Sequence, residues 1–447
     1  MHDRQYTAPA NMTDGAARVV VPADDIAGDR WHVLGVLTLV YAVNIADRYS
    51  ISTLIEPIKA ELALSDTLVG FLTGVALAIF YVTAGIPLAT LADRSNRRNI
   101  VAAAIAAWSL MTTLCGLAQN FWQLLIARIG VGVSEAGGTP PSTSIVADKF
   151  PARDRAMAQT IFAMGASLGA WLGSSIAGRI ADAFGWRAAL LALGIPGVLV
   201  ALLVWLTVKE PKRGQLDGAS VDRSPATLSQ TLRFIATQRS LVHLLAGGTV
   251  LTFWSWGLVW WTPSFLARSH GMTVGEAGGT LGPMHLIGGT ACLIITSWLM
   301  TVRAAADPRF VSRVVAISTV VTTIPSLLVY VVDQTSVTIA LLWIFVPIIY
   351  LYIGPTIGLM QNLVPPGMRA QTLAVFLFVA NVANLVIAPQ LIGVMSDWLA
   401  ATYGKESLRW ALILTAPTGF WAAYHYWTAE KTLRQDEARI GSLVPAD

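Results

Sequence analysis

Residues 67–92 read TLVGFLTGVALAIFYVTAGIPLATLA, without a single Asp, Glu, Lys or Arg, and the next six are Asp93, Arg94, Ser95, Asn96, Arg97 and Arg98. A helix needs about 20 mostly apolar residues to cross a hydrocarbon core of ~30 Å. In that core its backbone must satisfy its own polar groups, which a helix does within one segment. The stretch therefore predicts a membrane span, and the abrupt return of charge marks its end. Working outward, the same pattern recurs at 157–178, 188–208, 241–267, 277–302, 314–332, 370–396 and 410–429. Residues 100–127 are longer and carry a polar break at Gln119 and Asn120, which divides two spans. With 33–54 added, the expectation is an all-α membrane protein of twelve spans. They run roughly over 33–55, 67–92, 99–118, 121–147, 155–184, 187–208, 241–267, 275–302, 312–332, 337–363, 369–398 and 408–428.

Composition agrees. Of 447 residues 55% are hydrophobic and 13% charged, against roughly 25% charged in a soluble domain. A water-soluble fold of this size has nowhere to hide so much apolar surface. The first 30 residues lack a continuous apolar core, so they read as a tail and not a cleavable signal. The two cysteines, Cys115 and Cys292, fall inside spans as small hydrophobes, and neither a disulfide framework nor a metal site is expected. A net charge of +4 points to no nucleic acid once the charges are placed. Of the 30 Lys and Arg, 22 fall on one set of connections and tails and only six on the other, with two inside spans. Cytoplasmic loops carry the excess of Lys and Arg, so both termini are expected in the cytoplasm. The loops hold no metal-ligand pair, nucleophile motif or phosphate-binding glycine loop, which argues against an enzyme.

The chain repeats itself. Pro151 through Arg155-Ala156 has a counterpart in Pro365 through Arg369-Ala370, an offset of 214, and Gly178 with Asp182 matches Gly393 with Asp397, an offset of 215. After those aspartates, Trp186-Arg187 is echoed by Arg409-Trp410. Such an offset equals six spans. The expected organisation is a tail over 1–31, a six-helix bundle over 32–208, a cytoplasmic linker over 209–240, a second bundle over 241–428 and a tail over 429–447. Within the linker, residues 227–239 suit a short surface helix. Duplicated bundles suggest alternating access.

Four charges stand where they are expensive: Asp47 and Arg48 in the first span, Arg128 and Glu135 in the fourth. Each costs ~2.5 to 3.5 kcal/mol at mid-membrane on insertion scales, so each needs a partner or water. Arg128 and Glu135 lie about 20° apart around their helix and ~10 Å along it, too far to pair readily. Asp47 and Arg48 point about 100° apart and should serve different neighbours. A buried cluster that only fixes helix packing is the plain alternative; a substrate or proton path is the preferred reading. Asp47 and Glu135 are candidates for proton exchange, while Arg48 and Arg128, which stay charged, are anion anchors. His285 and His243 read first as hydrogen-bonded packing residues. Asn381 and Asn384 fit substrate contact and helix pairing equally. Trp260 and Trp261 look like an aromatic belt, with Trp254 and Trp256 as weaker cavity candidates.

The loop from Gly85 to Arg98, with Asp93, Arg94, Arg97 and Arg98, resembles the signature after the second helix in the major facilitator superfamily, apart from Ala89 and Asn96 where glycines are usual. That resemblance implies a conformational role for Asp93, Arg97 and Arg98, with Asp93 facing the start of the eleventh helix. Asn44-Ile-Ala-Asp47-Arg48-Tyr49, Arg128 through Gly132 to Glu135-Ala136, and Lys209-Glu210-Pro211 look like the Spinster family of these transporters. The resemblance implies proton-linked movement of amphipathic anions such as lysophospholipids and sphingoid phosphates. In it Asp47 and Glu135 match coupling positions, and Arg48, Arg128 and Glu135 match binding positions. The alternative is a proton-coupled sugar-acid symporter of the same superfamily. Either way the expectation is a monomer in the lipid bilayer, without cofactor or metal, driven by a proton gradient.

Overall fold

The computed structural model describes residues 29–213, 227–300, 302 and 307–443. The first 28 residues, the middle of the linker, Arg303, the last four residues and the side chain of Asp93 lie outside the described residues. The described residues are helical almost throughout. The first span is α1 (Arg30–Thr53), followed by the short α2 (Ile55–Leu62). The second is α3 (Asp66–Gly70), a π-turn at Phe71–Val75, and α4 (Ala76–Arg94). The third is α5 (Arg97–Leu117), and the fourth is broken into α6 (Phe121–Glu135) and α7 (Thr139–Lys149). The fifth and sixth are α8 (Ala152–Trp171), a π-turn at Leu172–Ile176, and α9 (Ala177–Thr207), which bends at Gly185 with φ of 84°.

Across the linker lies α10 (Leu228–Thr237), started by a capping box between Thr227 and Gln230, with Thr231 and Ile235 turned inward. The second bundle opens with α11 (Arg239–His270). Then follow α12 (Val274–Pro283), a π-turn at Met284–Gly289, and α13 (Thr290–Leu299). The ninth span is α14 (Pro308–Val331), and the tenth is α15 (Thr335–Ile348) with α16 (Ile353–Asn362). The eleventh is α17 (Arg369–Asn381), a π-turn at Val382–Ile387, and α18 (Ala388–Tyr403). The twelfth is α19 (Ser407–Thr415) with α20 (Thr418–Leu443).

Among the described residues, eight helical runs are long and apolar enough to cross a membrane. Met157–Thr207, at 51 residues, would stretch roughly 75 Å if straight, more than two crossings. It turns at Gly185, and Arg369–Arg439 turns at Gly404, whose φ is 55°. The first and fourth spans are the ones missing from that set, because they hold the charges or a break. The fourth span was expected to be continuous over 121–147, and the structure corrects this. Gly137 and Gly138 followed by Pro140 and Pro141 end one helix and start another. The tenth breaks 214 residues on, at Ile349–Tyr352, just after Pro347.

We call the face with both ends of the described chain the tail face. Lys149 at the end of α7 holds Asp29 at 2.7 Å, and Ser240 at the start of α11 holds Asp436 at 2.6 Å. The repeated Arg155 and Arg369 do one job there. Arg155 Nε donates to the Ala147 carbonyl at 2.9 Å and Arg369 Nε to the Gln361 carbonyl at 3.1 Å, each satisfying the end of the preceding helix.

Candidate functional site: paired charges between the first and fourth spans

The first span reaches the centre of its bundle because Gly165, Gly169 and Gly173 on the fifth present bare backbone to Thr38, Ala42 and Ala46, where a Cβ would collide. This closeness aims Asp47 and Arg48 at the fourth span. Arg128 Nη1 donates to Asp47 Oδ2 at 2.8 Å, and Thr112 Oγ1 donates to Asp47 Oδ1. Arg48 donates to Glu135 Oε2 from Nε at 3.0 Å and from Nη2 at 2.7 Å. Asp47 and Arg48 thus serve different partners, as their angular separation requires, and Arg128 and Glu135 are bridged through the first span and not to each other.

The pairs differ in access. Arg128 is 0% exposed and Asp47 3%, whereas the Arg48 side chain keeps 18% of its surface open. Both pairs have spare bonding capacity: Arg128 Nε and Nη2 and Glu135 Oε1 are buried without a hydrogen-bond partner among the described residues. The Cys115 thiol, expected to be a plain hydrophobe, lies beside Arg128. Glu135 is also the last residue of α6 at the break, where the chain ceases to satisfy its own carbonyls. Intramembrane sites are commonly built on broken helices.

The facing wall, from the second bundle, is aromatic and neutral. Tyr350 and Tyr352 stand at the break in the tenth span, Tyr350 at the repeat position of Glu135, an offset of 215. Tyr350 bonds His285 Nδ1 at 3.0 Å, and Tyr352 bonds Thr252 at 2.8 Å and Trp256 Nε1 at 3.3 Å. Tyr49, next to Arg48, meets His285 with ring centroids 4.8 Å apart and Trp256 at 6.4 Å. Trp256 is half-buried here, while Trp254 is buried against Phe345. The aromatic-belt expectation fails for Trp261. It is fully buried, its indole donating to the Pro389 carbonyl at 3.3 Å, because the seventh span packs between the bundles at that level. His243 bonds His425 at 2.9 Å, away from the four charges. Asn381 and Asn384 sit at the π-turn of the eleventh span, half-buried.

The loop signature holds its own bundle together. Arg97, 2% exposed, reaches Asp148 Oδ2 at 2.5 Å, Ser144 at 2.7 Å, Glu210 Oε1 at 2.7 Å and the Pro211 carbonyl at 3.1 Å. The Arg98 backbone N–H takes the other Glu210 oxygen at 2.8 Å, and its side chain turns to Asn99.

At the far face the bundles meet. Arg268 grips Asp66 with two bonds of 2.7 Å and Glu56 with bonds of 2.7 and 2.9 Å; Lys59 and Ser396 complete the shell around Asp66 at 2.5 and 2.6 Å. The repeated aspartates are there too. Asp182 accepts from Thr273 Oγ1 at 2.6 Å and from the Gly275 N–H at 3.0 Å, at the start of α12. Asp397 accepts from the Asp66 and Thr67 N–H groups at 3.1 and 2.7 Å, at the start of α3. Gly178 and Gly393, four residues before each, let the helices touch without a Cβ. Sequence reasoning passed over Glu56, Asp66 and Arg268 as ordinary loop charges; a lone carboxylate and a lone arginine at the ends of two spans was the available signal.

A duplicated helical bundle with paired charges in one half and a closed seam at one face defines a membrane transporter. The sequence profile of the Major Facilitator Superfamily matches residues 37–389, and the chain belongs to that family. It is 33% identical over 407 residues to an MFS-type efflux pump of Mycolicibacterium smegmatis, covering 91% of this chain and 94% of the relative. It is 27% identical over 406 residues to the sphingosine-1-phosphate transporter SPNS2 of Danio rerio, covering 85% and 80%. The crystal structure of a bacterial homologue of the human lysosomal transporter Spinster, described as inward-facing and unoccupied, superimposes with a TM-score of 0.80 at 26% identity, covering 92% of this chain and 98% of that one. The Spinster resemblance is thus shared by sequence and structure, and these are transporters and not enzymes.

Proposed function

We propose that this transporter moves an amphipathic organic anion, of the lysolipid or sphingoid phosphate class, by proton-coupled alternating access. The observation that carries the reading is the unequal access of the two ion pairs. Arg48 is partly open, and both of its bonds to Glu135 fall on one carboxylate oxygen. Protonating Glu135 removes its charge from Arg48, and the guanidinium then takes the anionic head of the substrate in place of the carboxylate. The sealed Asp47–Arg128 pair keeps the frame of the site. The aromatic wall of Trp256, Tyr350 and Tyr352 suits an apolar body opposite a charged head. Support for the class comes from the sphingosine-1-phosphate transporter among the relatives.

With the tail face in the cytoplasm, as the charge bias indicates, the far-face seam closes the outside and the conformation is inward-facing. The solved relative of that description supports this state. The test is flux in proteoliposomes under an imposed pH gradient, comparing lysolipids and sphingoid phosphates with sugar acids. The expected result is saturable, gradient-driven movement of the amphipathic anions, lost in Arg48→Ala. Movement of sugar acids alone would overturn the substrate class, and flux indifferent to the gradient would overturn the coupling.

A further inference from the structure

At the tail-face end of the ninth and twelfth spans lies a pocket that belongs neither to the charged site nor to the far-face seam. It has a volume of about 370 Å³ and is lined by Arg309 at the start of α14 and by Trp427, Glu430 and Lys431 on α20. Its depth in the membrane follows from both helices. On α20 the exposed aromatic residues Phe420, Trp421, Tyr424 and Trp427 give way to Glu430 and Lys431 within one turn. The apolar run of the ninth span, Arg309–Val331, begins at Arg309 itself. Exposed tryptophan and tyrosine mark the level of lipid headgroups, so the pocket opens at that level.

Its charges are unevenly used. Glu430 is taken by Arg313, whose Nε lies 3.0 Å away, and Asp307 pairs with Arg434 at 3.5 Å. Arg309 Nε is buried without a hydrogen-bond partner among the described residues, and Lys431 is exposed. A buried guanidinium N–H without an acceptor is costly. The group that best suits an arginine beside a lysine is a phosphate, which the first binds through its planar fork and the second as a point charge.

We propose that this pocket binds the phosphate headgroup of an anionic phospholipid of the surrounding leaflet. Arg309 and Lys431 hold the phosphate, and Trp427 packs against the glycerol and upper acyl chains. A zwitterionic lipid is disfavoured because Glu430, the acidic group that would receive its ammonium, is already paired with Arg313. The bound lipid bridges the ninth and twelfth spans.

The test is native mass spectrometry of the full-length protein in detergent, titrated separately with phosphatidylglycerol and phosphatidylcholine. The wild type is expected to retain phosphatidylglycerol in preference. In Arg309→Gln with Lys431→Gln its affinity should fall by roughly fivefold per cation, about 25-fold in all, while Arg233→Gln on α10 changes it by less than about twofold. Arg309→Lys, which keeps the charge, should retain most of the binding, and an unchanged unfolding temperature in lipid-free detergent shows that the double variant is folded. Equal affinity for the two lipids, or a double variant that binds phosphatidylglycerol like the wild type, overturns the proposal. So does displacement of the lipid by equimolar glycerol 3-phosphate, which would make the ligand a free anion.

Discussion

Arg48 and Arg128 are both arginines paired to a carboxylate within the membrane, yet their surroundings predict opposite consequences of losing the partner. Arg128 has no exposed surface and Asp47 is the one carboxylate within ion-pair distance of it among the described residues, so Asp47→Asn leaves a buried charge with only the more distant Glu135 to offset it. Breaking one side of a buried pair costs about 3 to 5 kcal/mol, and the expected result is a sharply lower unfolding temperature. Thr112→Val removes one hydrogen bond to the same carboxylate and should cost about 1.5 to 3 kcal/mol. Glu135→Gln keeps a neutral acceptor for the more accessible Arg48. It should change stability least of the three while abolishing the response of transport to a pH gradient. Thermal unfolding of the purified variants orders them, and the reverse order would reject the division into frame and working pair. The four charges were legible in the sequence because charge inside a span is expensive, and the 100° step between Asp47 and Arg48 already separated their partners. Thr112 and Cys115 were not, since small polar residues are common in spans and carry no such signal.

Helices two, five, eight and eleven form the seam between the bundles, and each contains a π-turn. At the far face this seam is fastened twice by the same device, a glycine that allows contact and an aspartate that caps the facing helix. Asp182 does this for α12 and Asp397 for α3. Replacing a capping aspartate by alanine costs about 1 kcal/mol, whereas asparagine caps almost as well. Both caps join one bundle to the other, so their loss weakens only the closed far face. Asp182→Ala should raise the share of far-face-open molecules about fivefold, both alanines together roughly 25-fold, and Asp182→Asn, which keeps the single accepting oxygen, little. The readout is maleimide labelling of a cysteine placed at Thr53, which is buried at this seam. Equal labelling in Asp182→Ala and Asp182→Asn would show that charge, and not capping, closes the face. The repeat was visible in the sequence through these glycines, aspartates and arginines, because helix caps and close approaches tolerate few residue types. The broken fourth span was missed although Gly137-Gly138-Thr139-Pro140-Pro141 spells a break, since hydropathy does not register it. π-turns leave no comparable trace.

Across the whole molecule, polar contacts divide by whether they lie within a bundle or between bundles. A contact inside a bundle is present in every state of a rocking transporter, so its loss lowers stability. A contact between bundles is present in one state, so its loss shifts the balance of states. Arg97 belongs to the first kind, tying the third and fourth spans to the linker through Asp148 and Glu210. Arg268 belongs to the second, joining the seventh span to Glu56 and Asp66 of the first bundle. Arg97→Ala is therefore expected to lower the unfolding temperature and leave the distance between bundles alone. Arg268→Ala should shift the equilibrium by on the order of 3 kcal/mol, more than a hundredfold, toward the state open at the far face. Spin labels at Phe184 and Trp398, exposed positions near the far-face ends of the fifth and eleventh spans, report that distance in a background with Cys115 and Cys292 replaced by serine. One short distance is expected for the wild type and for Arg97→Ala, and a longer one for Arg268→Ala. If Arg97→Ala lengthens the distance as much as Arg268→Ala does, the bundles do not move as separate bodies and the alternating-access reading fails with them.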